Sequence, residues 1–181
     1  MSNKHISLRH LALSDADALW ALRCRNRTFF QPFEPIRPES HFTLEGQQSE
    51  ITISMESANQ GHSYFFGIIL HESNELIGRI SLTSIARGPF QNANLGYYLD
   101  QQYNGKGYAT EAVSLCTQFA FREAGLHRIQ AAVMPRNIAS IRVLEKVGFR
   151  QEGMAKHYLQ INGVWEDHNL YALTVEDIAR P

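Results

Sequence analysis

The chain has 181 residues, of which 44% are hydrophobic and 19% are charged. This length suits one domain with a well-buried core, and this composition excludes the disordered and collagen-like classes. With 17 Lys and Arg against 18 Asp and Glu, the formal net charge is -1, so no overall positive field favours nucleic acid or an anionic membrane. We therefore expect one domain over residues 1–181 and no direct nucleic-acid partner.

The cysteines and the apolar runs indicate the compartment. Cys24 and Cys116 are far apart and lie in no zinc-type or C-x-x-C spacing, so we expect two reduced thiols and no metal. The first residues lack the apolar stretch of a secretion signal. The longest apolar run, residues 64–70, is far below the roughly 20 residues that cross a bilayer. The sequence thus predicts a cytoplasmic protein with no membrane partner.

The first third of the chain reads as a strand, two helices and a stiff loop. Residues 6–13 alternate as a strand does, and Ser14 followed by an acid three residues later predicts a helix start with Ser14 as N-cap. Residues 43–59 predict a second helix. Between the helices, three prolines within residues 29–38 forbid regular helix. The phenylalanines of this proline loop either cap the core or line a substrate groove.

The rest of the chain alternates strands with two clear helices. Strand patterns separated by short turns predict an antiparallel meander, and Asn162-Gly163 is a strong hairpin signal. The second of the two helices should turn Ile138, Ile141 and Leu144 inward. The predicted strands are 64–70, 76–84, 93–99, 127–134, 154–161 and 164–174, and the helices are 108–123 and 137–147. This order predicts an α/β domain with a mainly antiparallel sheet and one central strand-helix-strand unit.

A glycine-rich loop between a strand and the strongest helix is the most informative segment. Gly105 and Gly107 allow close backbone approach, and the helix that follows presents free N–H groups and the positive end of its dipole. The spacing fits neither a P-loop nor a dinucleotide fingerprint, which needs Gly or Ala where Thr110 stands. The segment is therefore either a phosphate cradle or a turn that only admits the chain to the helix.

The spacing of this loop resembles a known family. Residues 102–107, Gln-Tyr-Asn-Gly-Lys-Gly, resemble the pyrophosphate motif of the GCN5-related N-acetyltransferases (GNAT), and a strand, an Asn137-led helix and residues 145–149 follow in the family's order. Within that superfamily the chain is similar to the ribosomal-protein alanine N-acetyltransferases, more to RimJ than to RimL. This similarity rests on residues 33–41, 64–67, 87–90, 127–129 and 162–168.

The resemblance implies a mixed, mostly antiparallel sheet of six to seven strands, flanked by helices and with splayed central strands. It also implies acetyl-CoA as donor. The donor's pantetheine arm would pair with the strand end, and Asn137 would hold that arm. Lys106 either contacts a phosphate or is solvated. The implied donor-binding residues are Tyr98, Leu99, Asp100, Gln102, Gly105, Lys106, Gly107, Tyr108, Ala109, Thr110, Asn137 and Ser140.

The catalytic residues depart from the usual pattern. Leu144 stands where much of the superfamily has a tyrosine acid. Ser140 matches the serine proposed for that role in RimL-like enzymes, although a serine at a helix start also bonds its own backbone. A backbone N–H near Leu99 could serve the oxyanion. Glu34 either binds or deprotonates a peptide amino terminus or holds an arginine, and Asp167 with His168 could face the acceptor.

The acceptor is the open question of the sequence. The resemblance implies the amino-terminal alanine or serine of a protein, with a ribosomal protein as the first candidate. A small amine is the alternative within enzymes, and cationic amines of that kind favour an acidic pocket. An acyl-CoA-binding sensor without turnover is the alternative outside enzymes. A homodimer also stays open, because nothing in the sequence decides the assembly.

Overall fold

The computed structural model describes residues 1–178. Within them, seven strands form one sheet in the order β1-β2-β3-β4-β5-β7-β6. Neighbouring strands are antiparallel except β4 and β5, which are parallel. The strands are β1 (Ile6–His10), β2 (Tyr64–Leu70), β3 (Leu76–Ala86), β4 (Asn92–Leu99), β5 (Arg128–Val133), β6 (Arg150–Ile161) and β7 (Val164–Thr174).

Six α-helices lie within the same residues and pack around this sheet. The four longer helices lie where helices were predicted, two of them between β1 and β2 and two in the second half of the chain. They are α1 (Ala16–Arg25), α2 (Arg27–Phe30), α3 (Leu44–Asn59), α4 (Tyr108–Arg122), α5 (Ile138–Val147) and α6 (Val175–Ile178). None of them is long and apolar enough to span a membrane.

The turns have the backbone that their residues favour. At the β6-β7 hairpin, Asn162 has φ 46° and Gly163 has φ 83°, which are the two positive values of a type I′ turn. The crossover from β4 to β5 requires α4, because parallel neighbours cannot be joined by a tight turn. The predicted meander, central strand-helix-strand unit and final hairpin are all confirmed.

The two parallel strands pair over only part of their length. Cα partners join residues 92–94 of β4 to residues 128–130 of β5, whereas the strands run on to Leu99 and Val133. Beyond the paired residues the strands diverge, and the backbone edge of each is left without its sheet neighbour. The predicted splay at the centre of the sheet is therefore present.

Two apolar clusters support the sheet. The larger one joins the sheet to the inner faces of α4 and α5, with Ile80, Val113 and Leu144 fully buried. The smaller one lies under α1 and α3 and contains Leu19 and Ile51. Each such side chain contributes roughly 1.5–3 kcal/mol by leaving water. The larger cluster includes Leu99 of β4 and Val133 of β5 and so packs under both diverging strands.

Some local predictions were wrong in detail. Asp15, not Ser14, precedes α1, since residues 13–15 form a 3-10 turn that closes on the Ala12 carbonyl. Ile138 is 51% exposed rather than inward, because it is the first residue of α5. In the proline loop both readings hold: Phe30 packs in the core, and Phe33 is 41% exposed and lines a cleft.

Candidate active site

A cleft of about 680 Å³ lies where β4 and β5 diverge. One wall is formed by the unpaired ends of these strands and the start of α5. The opposite wall is formed by the proline loop, α3 and the β6-β7 hairpin. The hairpin is tied to the proline loop because Asn162 N–H donates to the Glu34 carbonyl at 3.0 Å. The cleft therefore has a strand-lined half and a loop-lined half.

The strand-lined half offers free backbone groups from β4. Asp100 N–H donates to Ile77 on β3, while the Gln91 carbonyl accepts from Arg128 at the start of β5. Backbone groups alternate between the two edges of a strand, so those of Tyr97 and Leu99 face the opening and those of Tyr98 and Asp100 face β3. An extended ligand can add to this edge by main-chain hydrogen bonds to Tyr97 and Leu99.

The glycine-rich loop has the backbone of an anion cradle. Gly105 has φ 78° and Gly107 has φ 86°, values that residues with a Cβ adopt at a cost. The hydrogen-bond ladder of α4 begins with Glu111 N–H donating to Gly107 at 3.1 Å. The N–H groups of Tyr108, Ala109 and Thr110 therefore point out of the helix end, where they and the helix dipole favour a phosphate.

Side chains before the loop fix its position. Asp100 is 3% exposed and accepts from the guanidinium Nε of Arg25 at 2.5 Å. Its carboxylate also accepts from the backbone and side-chain nitrogens of Gln102, at 3.4 and 3.2 Å. The Asp100 and Gln102 side chains are thus engaged within the protein. Lys106 Nζ lies 5.2 Å from the centroid of the Tyr103 ring.

Two hydroxyls meet at the start of α5. Asn137 caps this helix by accepting from Ser140 N–H at 3.2 Å, and Ser140 Oγ lies 2.7 Å from the Tyr97 hydroxyl. Burial raises the pKa of Tyr97 to about 12, against a smaller opposing effect of the bond to Ser140. Both residues line the cleft. Leu144 is fully buried in the core, so its position offers no polar group.

The loop-lined half contains a buried ion pair. Arg23 is 2% exposed, and one of its guanidinium nitrogens donates to both carboxylate oxygens of Glu34, at 2.6 and 2.7 Å. The rings of Phe30 and Tyr98 lie 5.0 Å from the Arg23 guanidinium carbon. Glu34 therefore holds an arginine, as one reading of the sequence had it. Glu34 also lines the cleft.

A second charged cluster lies nearby. Glu50 of α3 is bound by the Nδ1 of His41 and, at 3.1 Å, by Arg79 of β3. Burial by itself would raise the pKa of Glu50, but the hydrogen bonds and charges of His41 and Arg79 outweigh it and lower the pKa to about 2. Arg37 lines the same half, and its Nε is 3.9 Å from Glu34, whose oxygens already serve Arg23.

The remaining candidates separate into cleft and non-cleft residues. His168 is 3% exposed and lines the cleft, whereas the Asp167 carboxylate accepts from His157 N–H at 2.8 Å within the hairpin. Cys116 is fully buried, and burial raises the pKa of its thiol. Cys24 is exposed. Over residues 1–178, no cluster of three His, Cys, Asp or Glu side chains could hold a metal ion.

Known proteins share this arrangement. Residues 5–150 match the family model of the acetyltransferase (GNAT) domain. The chain belongs to the GNAT acetyltransferases. A probable N-acetyltransferase, YjcK of Bacillus subtilis, is 46% identical over 98% of both chains. The [ribosomal protein uS5]-alanine N-acetyltransferase of Escherichia coli is 39% identical over 90% of this chain and 85% of its own.

Solved GNAT structures superpose closely. The ribosomal-protein-S5-alanine acetyltransferase of Vibrio fischeri gives a TM-score of 0.93 at 36% identity and covers 100% of this chain and 98% of its own. RimJ of Mycobacterium smegmatis, solved with a CoA-disulfide, gives 0.92 at 31% identity over 97% and 84%. The predicted family, fold and acetyl-CoA donor are confirmed, and the enzyme is an acetyl-CoA-dependent N-acetyltransferase.

This GNAT site also contains residues that sequence reasoning missed. They are Tyr97, Arg23, Arg37, His41, Glu50 and Arg79. The alternation of β4 was the available signal for Tyr97, since it places the Tyr97 side chain on the same face of the sheet as those of Leu95 and Leu99. For Arg79 no local signal exists, because its partner Glu50 lies 29 residues away in the chain.

Proposed function

We propose that this GNAT enzyme acetylates the amino-terminal alanine or serine of a protein, with a ribosomal protein as the first candidate. The observation that supports this choice most is the charge of the loop-lined half of the cleft. Arg23, Arg37 and Arg79 stand there against Glu34 and Glu50. An excess of positive charge disfavours polyamines and aminoglycosides, which carry several positive charges, and is compatible with a peptide that carries one.

The same charge excess helps the acceptor amine to react. An amine attacks a thioester only after it loses its proton, and neighbouring positive charge lowers the pKa of an ammonium group. Glu34 lies at this half and retains lone pairs beside those that Arg23 uses. We assign Glu34 to bind the ammonium and to take its proton, directly or through water.

The donor fits the strand-lined half. The N–H groups of residues 105–110 are suited to hold the pyrophosphate, and the free edge of β4 at Tyr97 and Leu99 is suited to pair with the pantetheine arm. A free N–H on that edge can also donate a hydrogen bond to the oxyanion that forms when the amine attacks the thioester carbonyl. Ser140 lies in the first turn of α5, with its Oγ 2.7 Å from the Tyr97 hydroxyl. We assign it to protonate the leaving sulfur.

The acceptor panel is the test. CoA release is followed with acetyl-CoA and peptides beginning with Ala, Ser or Met, and in parallel with a polyamine, an aminoglycoside and free amino acids. We expect turnover with the Ala and Ser peptides at least tenfold above that with the small amines. Turnover confined to small amines would overturn the proposal, as would donor binding without turnover on peptides or on a folded ribosomal protein.

A further inference from the structure

Leu144 occupies the α5 position where much of the superfamily has a tyrosine, but the hydroxyl of Tyr97 on β4 lies at the first turn of the same helix. Ser140 Oγ and the Tyr97 hydroxyl are 2.7 Å apart, and the Tyr97 hydroxyl is also 3.3 Å from the Ser140 carbonyl. These two contacts bring the phenol of a β4 residue to the first turn of α5. The Asn137 cap fixes Ser140 from the other side. A phenol thus reaches the cleft from β4, while Leu144 buries its side chain in the core.

The chemistry of the two hydroxyls differs. Burial raises the pKa of the Tyr97 phenol to about 12, yet a phenol remains a stronger acid than the alcohol of a serine. A serine that gives its proton to a leaving thiolate therefore needs a second group to replace that proton as it leaves. The oxygen of Tyr97 is the group within hydrogen-bond distance.

We propose that Tyr97 supplies the proton that Ser140 passes to the leaving sulfur, so that the two residues act as one acid. The proposal rests on the role assigned to Ser140 under the proposed function. In the step, the carbon–sulfur bond breaks and the sulfur keeps the electron pair. The Ser140 proton goes to the sulfur and the Tyr97 proton to Ser140 Oγ. The acceptor ammonium loses two protons in becoming an amide: one returns through water in the cleft to the Tyr97 phenolate, and the other leaves to solvent.

Tyr97 acts through Ser140, so it is a positioning and proton-supplying residue rather than one that touches the donor. A purely structural role for the same hydrogen bond would predict a different pattern. It would lower stability or donor affinity and leave the pH dependence of turnover unchanged. The test therefore separates kcat from KM and includes a pH profile.

The first measurement compares Tyr97→Phe, Ser140→Ala and the double variant. We expect each single variant to lower kcat by about 10²-fold, with acetyl-CoA affinity within twofold of wild type. We expect the double variant to be no worse than the singles, since groups in one relay are not additive. Ser140→Thr keeps a hydroxyl and should retain most activity. Tyr171→Phe, which removes the hydroxyl of a buried tyrosine outside the cleft, is the matched control.

The second measurement changes the acidity of the phenol without removing it. Replacing Tyr97 by a fluorinated tyrosine, whose phenol is more acidic, should move the high-pH limb of the kcat profile to lower pH. The difference between ultraviolet titrations of wild type and Tyr97→Phe, without donor, gives the phenol pKa independently of activity. An unmoved limb, or multiplicative losses in the double variant, would overturn the relay.

The outcome does not depend on the acceptor. Slow hydrolysis of acetyl-CoA, measured with no amine present, breaks the same carbon–sulfur bond and needs the same proton. If every peptide fails but hydrolysis falls equally in Tyr97→Phe and Ser140→Ala, the acceptor assignment is wrong and the relay stands. If hydrolysis is unchanged in Tyr97→Phe, the relay is wrong whatever the acceptor is.

Discussion

One guanidinium nitrogen of Arg23 donates to both carboxylate oxygens of Glu34, at 2.6 and 2.7 Å. The arginine is almost completely buried and its guanidinium lies 5.0 Å from the rings of Phe30 and Tyr98, while its partner lines the cleft. The pair thus joins the core under α1 to the loop-lined half of the cleft. A change at Glu34 is expected to affect both stability and activity, by separate physical routes.

Glu34→Gln keeps the shape of the side chain and removes its charge. We expect kcat/KM for an Ala-starting peptide to fall by about 10²-fold or more, because the ammonium loses its carboxylate. We also expect a lower melting temperature, because Arg23 stays buried without a counter-ion. Glu39→Gln breaks an exposed pair with Arg27 outside the cleft and serves as control. A Glu34 variant with unchanged kcat/KM contradicts the assigned role.

Gly107→Ala tests the anion cradle. The positive φ of Gly107 costs an alanine about 1–2 kcal/mol, although its Cβ would meet no atom within 4 Å. We expect the loop to relax and the dissociation constant of acetyl-CoA, measured by calorimetry, to rise several-fold. Gly88→Ala is the matched control, since Gly88 also has a positive φ and open space. Equal donor affinity in the two variants would show that the cradle does not hold the donor.

Arg37→Gln tests the charge of the loop-lined half of the cleft. Arg37 is exposed, and its nearest carboxylate serves another arginine. We expect wild type to prefer an Ala-starting peptide with a nearby Glu over one with a nearby Lys, and Arg37→Gln to reduce that preference by up to about fivefold, the size of one exposed ion pair. Arg27→Gln, outside the cleft, should leave the ratio of kcat/KM values unchanged. A ratio that Arg37→Gln does not alter contradicts the prediction.

The Glu50 cluster predicts acid sensitivity. The pKa of Glu50 is lowered from 4.5 to about 2 in the folded protein, so its ion pairs stabilise the fold fully above pH 4.5 and progressively less as the pH falls towards 2. We expect the difference in unfolding free energy between wild type and Glu50→Gln to shrink as the pH falls from 4.5 towards 2. Urea unfolding at several pH values measures it. Glu56→Gln, an exposed change on the same helix, should show no such trend.

The elements of the fold were predictable because their signals are local. Residues 64–70 were predicted as a strand and form β2, and the Asn162-Gly163 turn has the two positive φ angles that its residues favour. Helix ends were less predictable. Ser14 was predicted as the N-cap of α1, but a 3-10 turn precedes this helix and Asp15 is its N-cap. Such a turn depends on short-range backbone hydrogen bonds, here from Asp15 N–H to Ala12 and from Ala16 N–H to Leu13, which no sequence pattern here specifies.

The site was predictable where backbone chemistry makes it. Gly105 and Gly107 predicted a tight turn before α4, because glycine adopts positive φ angles such as theirs at little cost. For Glu34 an arginine partner was one of two predicted roles, but the sequence did not identify Arg23 as that partner, and the pair of Glu50 with Arg79 joins residues that are distant in the chain. Tyr97 was missed because its partner, Ser140, approaches only when β4 and β5 diverge.

The proposed acceptor is the α-amine of an amino-terminal residue. Tandem mass spectrometry tests this on one peptide that begins with Ala and also contains an internal Lys, after incubation with the enzyme and acetyl-CoA. We expect one acetyl group, on the α-amine of Ala. Acetyl groups on the lysine ε-amine, with the α-amine unmodified, would contradict it.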